Sequence, residues 1–394
     1  MFTKIQLLRV NSNISISRIS FIFPILFLLG IPTVHAQKFK EGWLWRYVNS
    51  IVNDTTEAEK ATLTVYPTFA SSPETGLEIG ASILKLYYAN GDTLNRLSEL
   101  QAFTFFTVKG QYGLVLENAL YGDQDKWFFL GENKIQRFPL SYYGIGPNTP
   151  GDHPALVDAF QVMVKQRVLR KLRNNLFFGP EVDYQLLSGV KIEQPEEGIP
   201  YPIPRGGNGT QNLGLGFGLV YDNRHNVLNV RKGIFGEIAY LRNFSNFLSE
   251  YSFGSINVDV RSYHPIGRSN TLAWQLRGQF THGDIPFNQM ALLGGDRLMR
   301  GYYLGRYRDR HFIGAQVEYR MLPLWFSKRL GAAVFASTGT VAPSLNAFQA
   351  RHIRYAGGIG LRYLLFPKKD IYLRFDLGFT NEGANLYIFN GEAF

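Results

Sequence analysis

The sequence has no cysteine. Disulfide frameworks, thiolate metal sites and cysteine nucleophiles are therefore excluded. Charge is scarce as well. Asp, Glu, Lys and Arg make up 18% of the 394 residues, against roughly 25% in soluble domains. Tryptophan is rare, at 5, whereas Phe and Tyr are abundant, at 31 and 22. A chain this aromatic, with 40 Gly, is not disordered, because disorder needs few aromatics. Nor is it a charge-laced coiled coil. Beyond residue 36 no run approaches the ~18 uninterrupted apolar residues of a transmembrane helix. That excludes a helical membrane protein. It leaves a barrel open, because spanning strands give a much weaker signal.

What is present begins with an address. Residues 1–18 are basic and polar, residues 19–34 (ISFIFPILFLLGIPTV) are apolar, and Val34-His35-Ala36 puts small residues before Gln37. This is a secretory signal-peptide pattern over 1–36. Pro24 and Pro32 argue against an uncleaved anchor. The formal net charge is +10, and it is +7 without Lys4, Arg9 and Arg18 of the leader. A basic balance suits nucleic acid or an anionic membrane surface. No basic helix or base-stacking platform is visible, so no nucleic-acid partner is expected. Export without cysteine fits a Gram-negative envelope protein.

From residue 61 the dominant period is two. Leu213, Leu215, Phe217, Leu219 and Tyr221 interleave with Gly214, Gly216, Gly218, Val220 and Asp222. Ile371, Leu373, Phe375, Leu377 and Phe379 interleave with Tyr372, Arg374, Asp376 and Thr380. The apolar faces end in aromatics, as membrane-interface girdles require, and the polar faces mix Gly with Arg, Asp and Glu, which suits a wet lumen. About sixteen segments alternate in this way: 61–69, 76–87, 96–109, 111–121, 126–138, 156–173, 175–189, 210–223, 231–244, 251–265, 269–282, 310–322, 329–339, 353–365, 370–381 and 384–394. The expected fold is all-β: a single transmembrane antiparallel barrel over 61–394. An amphipathic stretch over 37–60 (Leu44, Val48, Ile51, Val52) suggests a short N-terminal helix in the periplasm.

An even strand count puts both termini in the periplasm. Long connections at 139–155, 190–209, 283–309 and 340–352 then face outside, and short turns face inside, as in bacterial outer-membrane barrels. The basic runs Arg170-Lys171-Leu172-Arg173, Arg231-Lys232, Arg268, Lys328-Arg329 and Lys368-Lys369 fall at the short turns. They are expected to meet anionic phospholipid headgroups.

The most informative segment is Leu293 to Tyr302 (LGGDRLMRGY), in the longest outer loop. It resembles the loop-six signature of the outer-membrane assembly-factor superfamily, or bacterial surface antigen family, which includes the BamA and TamA barrels and the two-partner secretion transporters. Gly144-Ile145-Gly146 with Asn148-Thr149, then Tyr221-Asp222-Asn223-Arg224 with Gly233, then Glu318-Tyr319-Arg320, follow the family's order. The chain also finishes on Phe394, like many barrels delivered by the assembly machinery. The resemblance covers nearly all of 61–394. It implies a factor that inserts or translocates client outer-membrane or secreted proteins, or lipid, in contact with phospholipid and lipopolysaccharide. Residues 37–60 are too few for a periplasmic polypeptide-transport-associated (POTRA) domain. The resemblance is therefore to the subgroup lacking them, and periplasmic or lipoprotein partners are expected to replace them.

The same resemblance gives Arg300, Gly301 and Tyr302 a role. A guanidinium is always charged and offers five donors in a rigid fork. On a loop folded into the lumen, Arg300 would latch the loop to an inward carboxylate. Gly301 would allow a sharp turn, and Tyr302 would pack on the wall. Family members carry Phe-x-Asp-x-Gly on the thirteenth strand. Here Phe335 to Gly339 (FASTG) puts Ser337 where the acid belongs. Glu318 and Asp376, both inward by alternation, are the expected substitutes. Asp222, Glu237, Asp259, Arg277, Arg320, Arg362 and Arg374 complete a lumen network. At the seam between first and last strands, Pro67 cannot donate to a ladder. Alternation also fails near Gly391, ahead of Phe394, which suggests a weakly paired seam acting as a gate.

Catalysis finds little support. The histidines lack ligand spacing, and no Gly-x-Ser-x-Gly elbow or phosphate loop occurs. His282 and Asp284 with Ser269, as in a barrel-embedded lipase, are a remote alternative. A passive channel favouring anions through Arg362 and Arg374 is the main rival. No enzyme activity, cofactor or metal is expected.

Overall fold

The computed structural model describes Gly42 and residues 62–394 apart from His225, Asn226 and Lys368. The expected leader over 1–36 and helix over 37–60 lie outside the described residues, as does Lys368 of one basic turn. Sixteen strands follow in order: β1 (Thr62–Ser72), β2 (Gly76–Tyr88), β3 (Leu97–Thr107), β4 (Tyr112–Tyr121), β5 (Trp127–Arg137, continued by Leu140–Tyr142), β6 (Ala155–Arg173), β7 (Leu176–Glu193), β8 (Thr210–Asp222), β9 (Gly233–Asn243), β10 (Phe253–Ile266), β11 (Asn270–Gly283), β12 (His311–Met321), β13 (Leu330–Ala342), β14 (Arg354–Phe366), β15 (Ile371–Thr380) and β16 (Gly383–Asn390). Each is antiparallel to the next, and β16 returns to β1. The sheet is a closed barrel.

Alternation builds this barrel with its polarity inverted. On β14, Leu361 is 65% exposed while the next residue, Arg362, is 0% exposed. On β1, Leu63, Val65 and Phe69 face out, and Tyr66 and Ala70 face in. Soluble domains bury such aliphatics and expose arginine. Leaving each Leu, Ile or Phe in water would cost about 1.5–3 kcal/mol. The outer belt therefore specifies hydrocarbon, which costs those side chains nothing. No helix among the described residues is long and apolar enough to cross a membrane. A closed barrel needs none, because every strand finds its hydrogen bonds on its neighbours.

Loop six, the connection from β11 to β12, folds into the bore. A short hairpin pairs Ala291–Leu293 with Tyr307–Asp309. Leu298, Met299, Tyr302 and Tyr307 of the loop pack with Phe312, Val341 and Ala356 of the wall. Two expectations need correction. Strands β6 and β7 are coupled hairpin arms reaching Ala155 and Glu193, so the third and fourth outer loops are shorter than read. The last strand stops at Asn390 instead of 394, because Gly391 adopts φ +80, a left-handed conformation natural to glycine.

Candidate functional site

The site is the junction of loop six with the wall from β12 to β16 and the closing seam. Arg300 lies at its centre, its side chain fully buried. Its Nη1 donates to Asp376 Oδ2 at 2.5 Å, and its Nη2 donates to Glu318. The guanidinium lies 3.6 Å from the Phe335 ring centroid, a stacking contact that favours the cation further. Strand alternation explains the acids. Glu318 on β12 and Asp376 on β15 both take inward positions and are 0% exposed.

Three more arginines close the network. Arg362 Nη1 donates to Asp376 Oδ1 at 2.5 Å, and its Nε donates to Glu392 at 3.0 Å. Arg320 Nε donates to Glu318 Oε1 at 2.7 Å. Arg374 Nη2 donates to Asp296 Oδ2 at 2.9 Å, and its Nη1 reaches Asp376 at 3.2 Å. Four guanidinium groups thus face four carboxylates in the bore. Two of those acids, Asp296 and Glu392, escape a reading by strand alternation. Asp296 sits inside the loop-six segment itself, and Glu392 lies just past the break at Gly391. Ser337, the third candidate partner, stays outside this set; its hydroxyl donates to the Ala356 carbonyl at 3.5 Å. The strand-thirteen position carries no charge, and Arg300 bonds instead to acids on β12 and β15.

Gly301 and Tyr302 touch the wall at β15 and β16. Gly301 has φ +117. Its N–H donates to the Tyr387 hydroxyl at 3.0 Å, and its carbonyl accepts from Asn385 Nδ2 at 2.6 Å. A Cβ at Gly301 would stand 2.6 Å from Thr380 Cγ2, and one at Gly378 would stand 2.6 Å from the Arg300 carbonyl carbon. Loop and wall backbones meet through these two glycines. The Tyr302 hydroxyl donates to Asn381 Oδ1 at 2.5 Å. Farther along, Arg306 Nε and the Tyr307 hydroxyl both donate to Glu382, each at 2.6 Å. The third outer loop joins in: Gly146 N–H donates to the Arg308 carbonyl at 2.7 Å, and Arg306 Nη1 donates to Thr149 Oγ1 at 2.9 Å.

The loop also reaches the far side of the seam. Leu304 N–H donates to Glu74 Oε1 at 2.6 Å. Glu74 lies in the β1–β2 turn, and burial holds its carboxyl above the ordinary carboxylate range. Loop six therefore binds β16 through Gly301 and the β1–β2 turn through Leu304.

Between these two anchors, β1 and β16 share one register pair, Ser71 with Ile388. Other neighbouring strands share ladders of eight to fourteen residues. Antiparallel register about that pair sets Asn390 opposite Phe69. Gly391 then turns the chain inward, its N–H donating to the Tyr372 carbonyl at 2.8 Å. Pro67 faces out, in register with Ala81 of β2. Phe394 is not at the seam. It packs in the bore with Val230, Tyr263 and Ala273, and its main-chain oxygen accepts from Arg320 at 2.9 Å. Beside the unmatched part of β1, Tyr66 packs edge-on to Phe366 at 5.2 Å, and Lys369 donates to Thr64.

The remaining lumen residues form separate pairs. Asp222 accepts from Arg224 and from the Tyr121 hydroxyl. Glu237 accepts from Arg167, which also holds Glu181. Asp259 accepts from Arg261 and Gln275, and Arg277 stands opposite it in register. Neither rival function gains from this geometry. Arg362 and Arg374, the anion-favouring groups of a channel, are neutralised by carboxylates. His282 and Ser269 flank opposite ends of β11, roughly 40 Å apart at strand rise. His282 instead meets the Tyr240 hydroxyl at 3.3 Å, and Asp284 is bonded to Arg205. Among the described residues no group of His, Asp and Glu is placed to hold a metal ion.

Fold and site define a class: a transmembrane barrel with an inward-folded sixth loop tied to its wall. The chain belongs to the Omp85 superfamily, whose domain profile matches residues 160–382. It is similar in fold to BamA from Haemophilus ducreyi lacking POTRA domains 1-3, at TM-score 0.55 and 13% identity, covering 84% of this chain and 70% of that one. It is likewise similar to CdiB from Acinetobacter baumannii, at TM-score 0.54 and 11% identity, covering 84% of this chain and 65% of that one. No curated protein sequence matches the chain. The fold is consistent with an outer membrane and with an insertion or translocation role.

Proposed function

We propose that this chain assists insertion or translocation of client outer-membrane or secreted proteins through the seam between β1 and β16. The carrying observation is the contrast between one register pair there and full ladders elsewhere. Termini and short turns face the periplasm in this reading, and phospholipid and lipopolysaccharide surround the belt. Periplasmic or lipoprotein partners deliver the client. Arg300 latches loop six, and the loop spans the seam from inside as a brace. A client strand meeting unpaired backbone on β1 adds to it as any strand adds to a free edge. Folding of the client supplies the drive, so neither nucleotide nor metal is required.

The test uses the absence of native cysteine. Ser71→Cys with Ile388→Cys places two thiols at the seam pair, and Val162→Cys with Leu186→Cys places two in the β6–β7 ladder, where those residues are in register. The full chain is reconstituted in liposomes, and insertion of a urea-unfolded barrel protein is followed by protease protection. Oxidation of the seam pair is expected to reduce insertion to the level of empty liposomes, with recovery on reduction, while the control pair changes nothing. Unchanged insertion with the seam locked overturns the gate.

A further inference from the structure

We propose that the short-turn rim between β5 and β6 is a binding site for the headgroup of an anionic glycerophospholipid. This rests on the reading that the short turns meet the phospholipid leaflet. A cleft of about 410 Å³ there is lined by Lys126, Trp127, Arg170, Lys171, Leu172 and Arg173. Register decides which way it faces. Trp127 pairs with Arg170 across β5 and β6. Their strand neighbours Phe128 and Leu169 are fully buried in the bore, so Trp127 and Arg170 point out, on the face that carries Phe129 and Val168. The Arg170 guanidinium sits 5.7 Å from the Trp127 ring centroid. Leu172, 57% exposed, adds to an apolar floor continuous with the lipid belt.

The cations above that floor have no acid to answer them. The carboxylates next in sequence are committed elsewhere: Asp125 pairs with Arg96 at 3.2 Å, and Asp123 accepts from Asn95 at 3.3 Å. Lys171 is positioned by main-chain groups. Its N–H donates to the Lys126 carbonyl at 3.0 Å, and its Nζ donates to the Gln124 carbonyl at 3.1 Å. Among the described residues no carboxylate is bonded to Lys126, Arg170, Lys171 or Arg173. Two other arginines near short turns differ: Arg231 is paired with Asp370 at 2.8 Å and Arg224 with Asp222 at 2.7 Å.

Four unanswered cations select a phosphate oxygen set. Guanidinium forks hold it bidentately, and the flanking indole sits where Trp belongs, at the headgroup level. The apolar floor selects a phosphate that carries acyl chains over a free one. Net positive charge selects an anionic lipid over a zwitterionic one.

The experiment measures lipid retained by the full-length protein in detergent micelles by native mass spectrometry. Probes are phosphatidylglycerol, phosphatidylcholine and inorganic phosphate. The expected result is selective retention of phosphatidylglycerol, lowered about thirtyfold by Arg170→Gln with Arg173→Gln, at one charge contribution per arginine. Arg205→Gln, in the fourth outer loop on the opposite rim, leaves it unchanged. Trp127→Phe, which keeps the fold, removes quenching of that tryptophan by bromolipid and weakens retention. Heat-modified gel mobility reports folding of each variant. Equal retention of phosphatidylcholine, an unaffected double variant, or displacement by equimolar inorganic phosphate each overturns the site. Retention in micelles together with an inert seam lock would sink the insertion reading and leave this site standing.

Discussion

The seam and the β6–β7 hairpin are the two extremes of one sheet. β6 and β7 run 19 and 18 residues and pair along fourteen of them. β1 and β16 pair at one. Yet the seam is the better furnished inside: loop six holds β16 through Gly301 and the β1–β2 turn through Leu304, and Arg300 fixes that loop on Glu318 and Asp376. Backbone ladder in one place is replaced by side-chain ties in the other. A ladder sums many backbone bonds along two strands, whereas the seam rests on one register pair and a few side-chain bonds. The barrel thus closes with very little backbone pairing at one place.

The largest expected break in this comparison is Asp376→Ala. It leaves Arg300, Arg362 and Arg374 without a shared carboxylate, and removing one partner of a buried pair costs about 3–5 kcal/mol. The midpoint of urea unfolding in vesicles should fall accordingly, and a shift below about 1 kcal/mol would show that the network does not hold the wall. Gly378→Ala comes next. It drives a methyl into the Arg300 carbonyl, and relieving such strain costs about 1–3 kcal/mol. Protease cleavage inside 283–309 should appear while β6–β7 amides keep their exchange protection. Loss of protection in both places would mean that the two regions are not separable. Glu74→Gln replaces a charged acceptor for Leu304, with about 1 kcal/mol at stake. Faster amide exchange confined to β1 and loop six is the expected signature. Least affected is Asp284→Asn. Its partner Arg205 is 60% exposed, and such pairs contribute about 0.2–1 kcal/mol, so the unfolding midpoint should stay within error.

The fold was legible because period two is imposed by the pleat, and lipid outside with polar groups inside sharpens it. Leu361 beside Arg362 shows the contrast in two residues. Strand ends were less legible where glycine decides them. Gly391 was visible as a break in alternation, but nothing in spacing says that the chain turns inward there. At the site, alternation places Glu318 and Asp376 on the inner face, where they stand beside Arg300. It is silent on Ser337, which departs from the family pattern, and on acids outside strands. Glu74, Asp296 and Glu392 all lie in turns, loops or past a strand end, where no periodicity applies. Gly378 was one glycine among 40, and only the approach of a second backbone distinguishes it.

The matching of four guanidinium groups by four carboxylates has an electrical consequence. Each of these guanidinium groups has a carboxylate oxygen within 2.9 Å, so a small ion beside the eight groups meets no net charge from them. The cluster is electrically inert scaffolding.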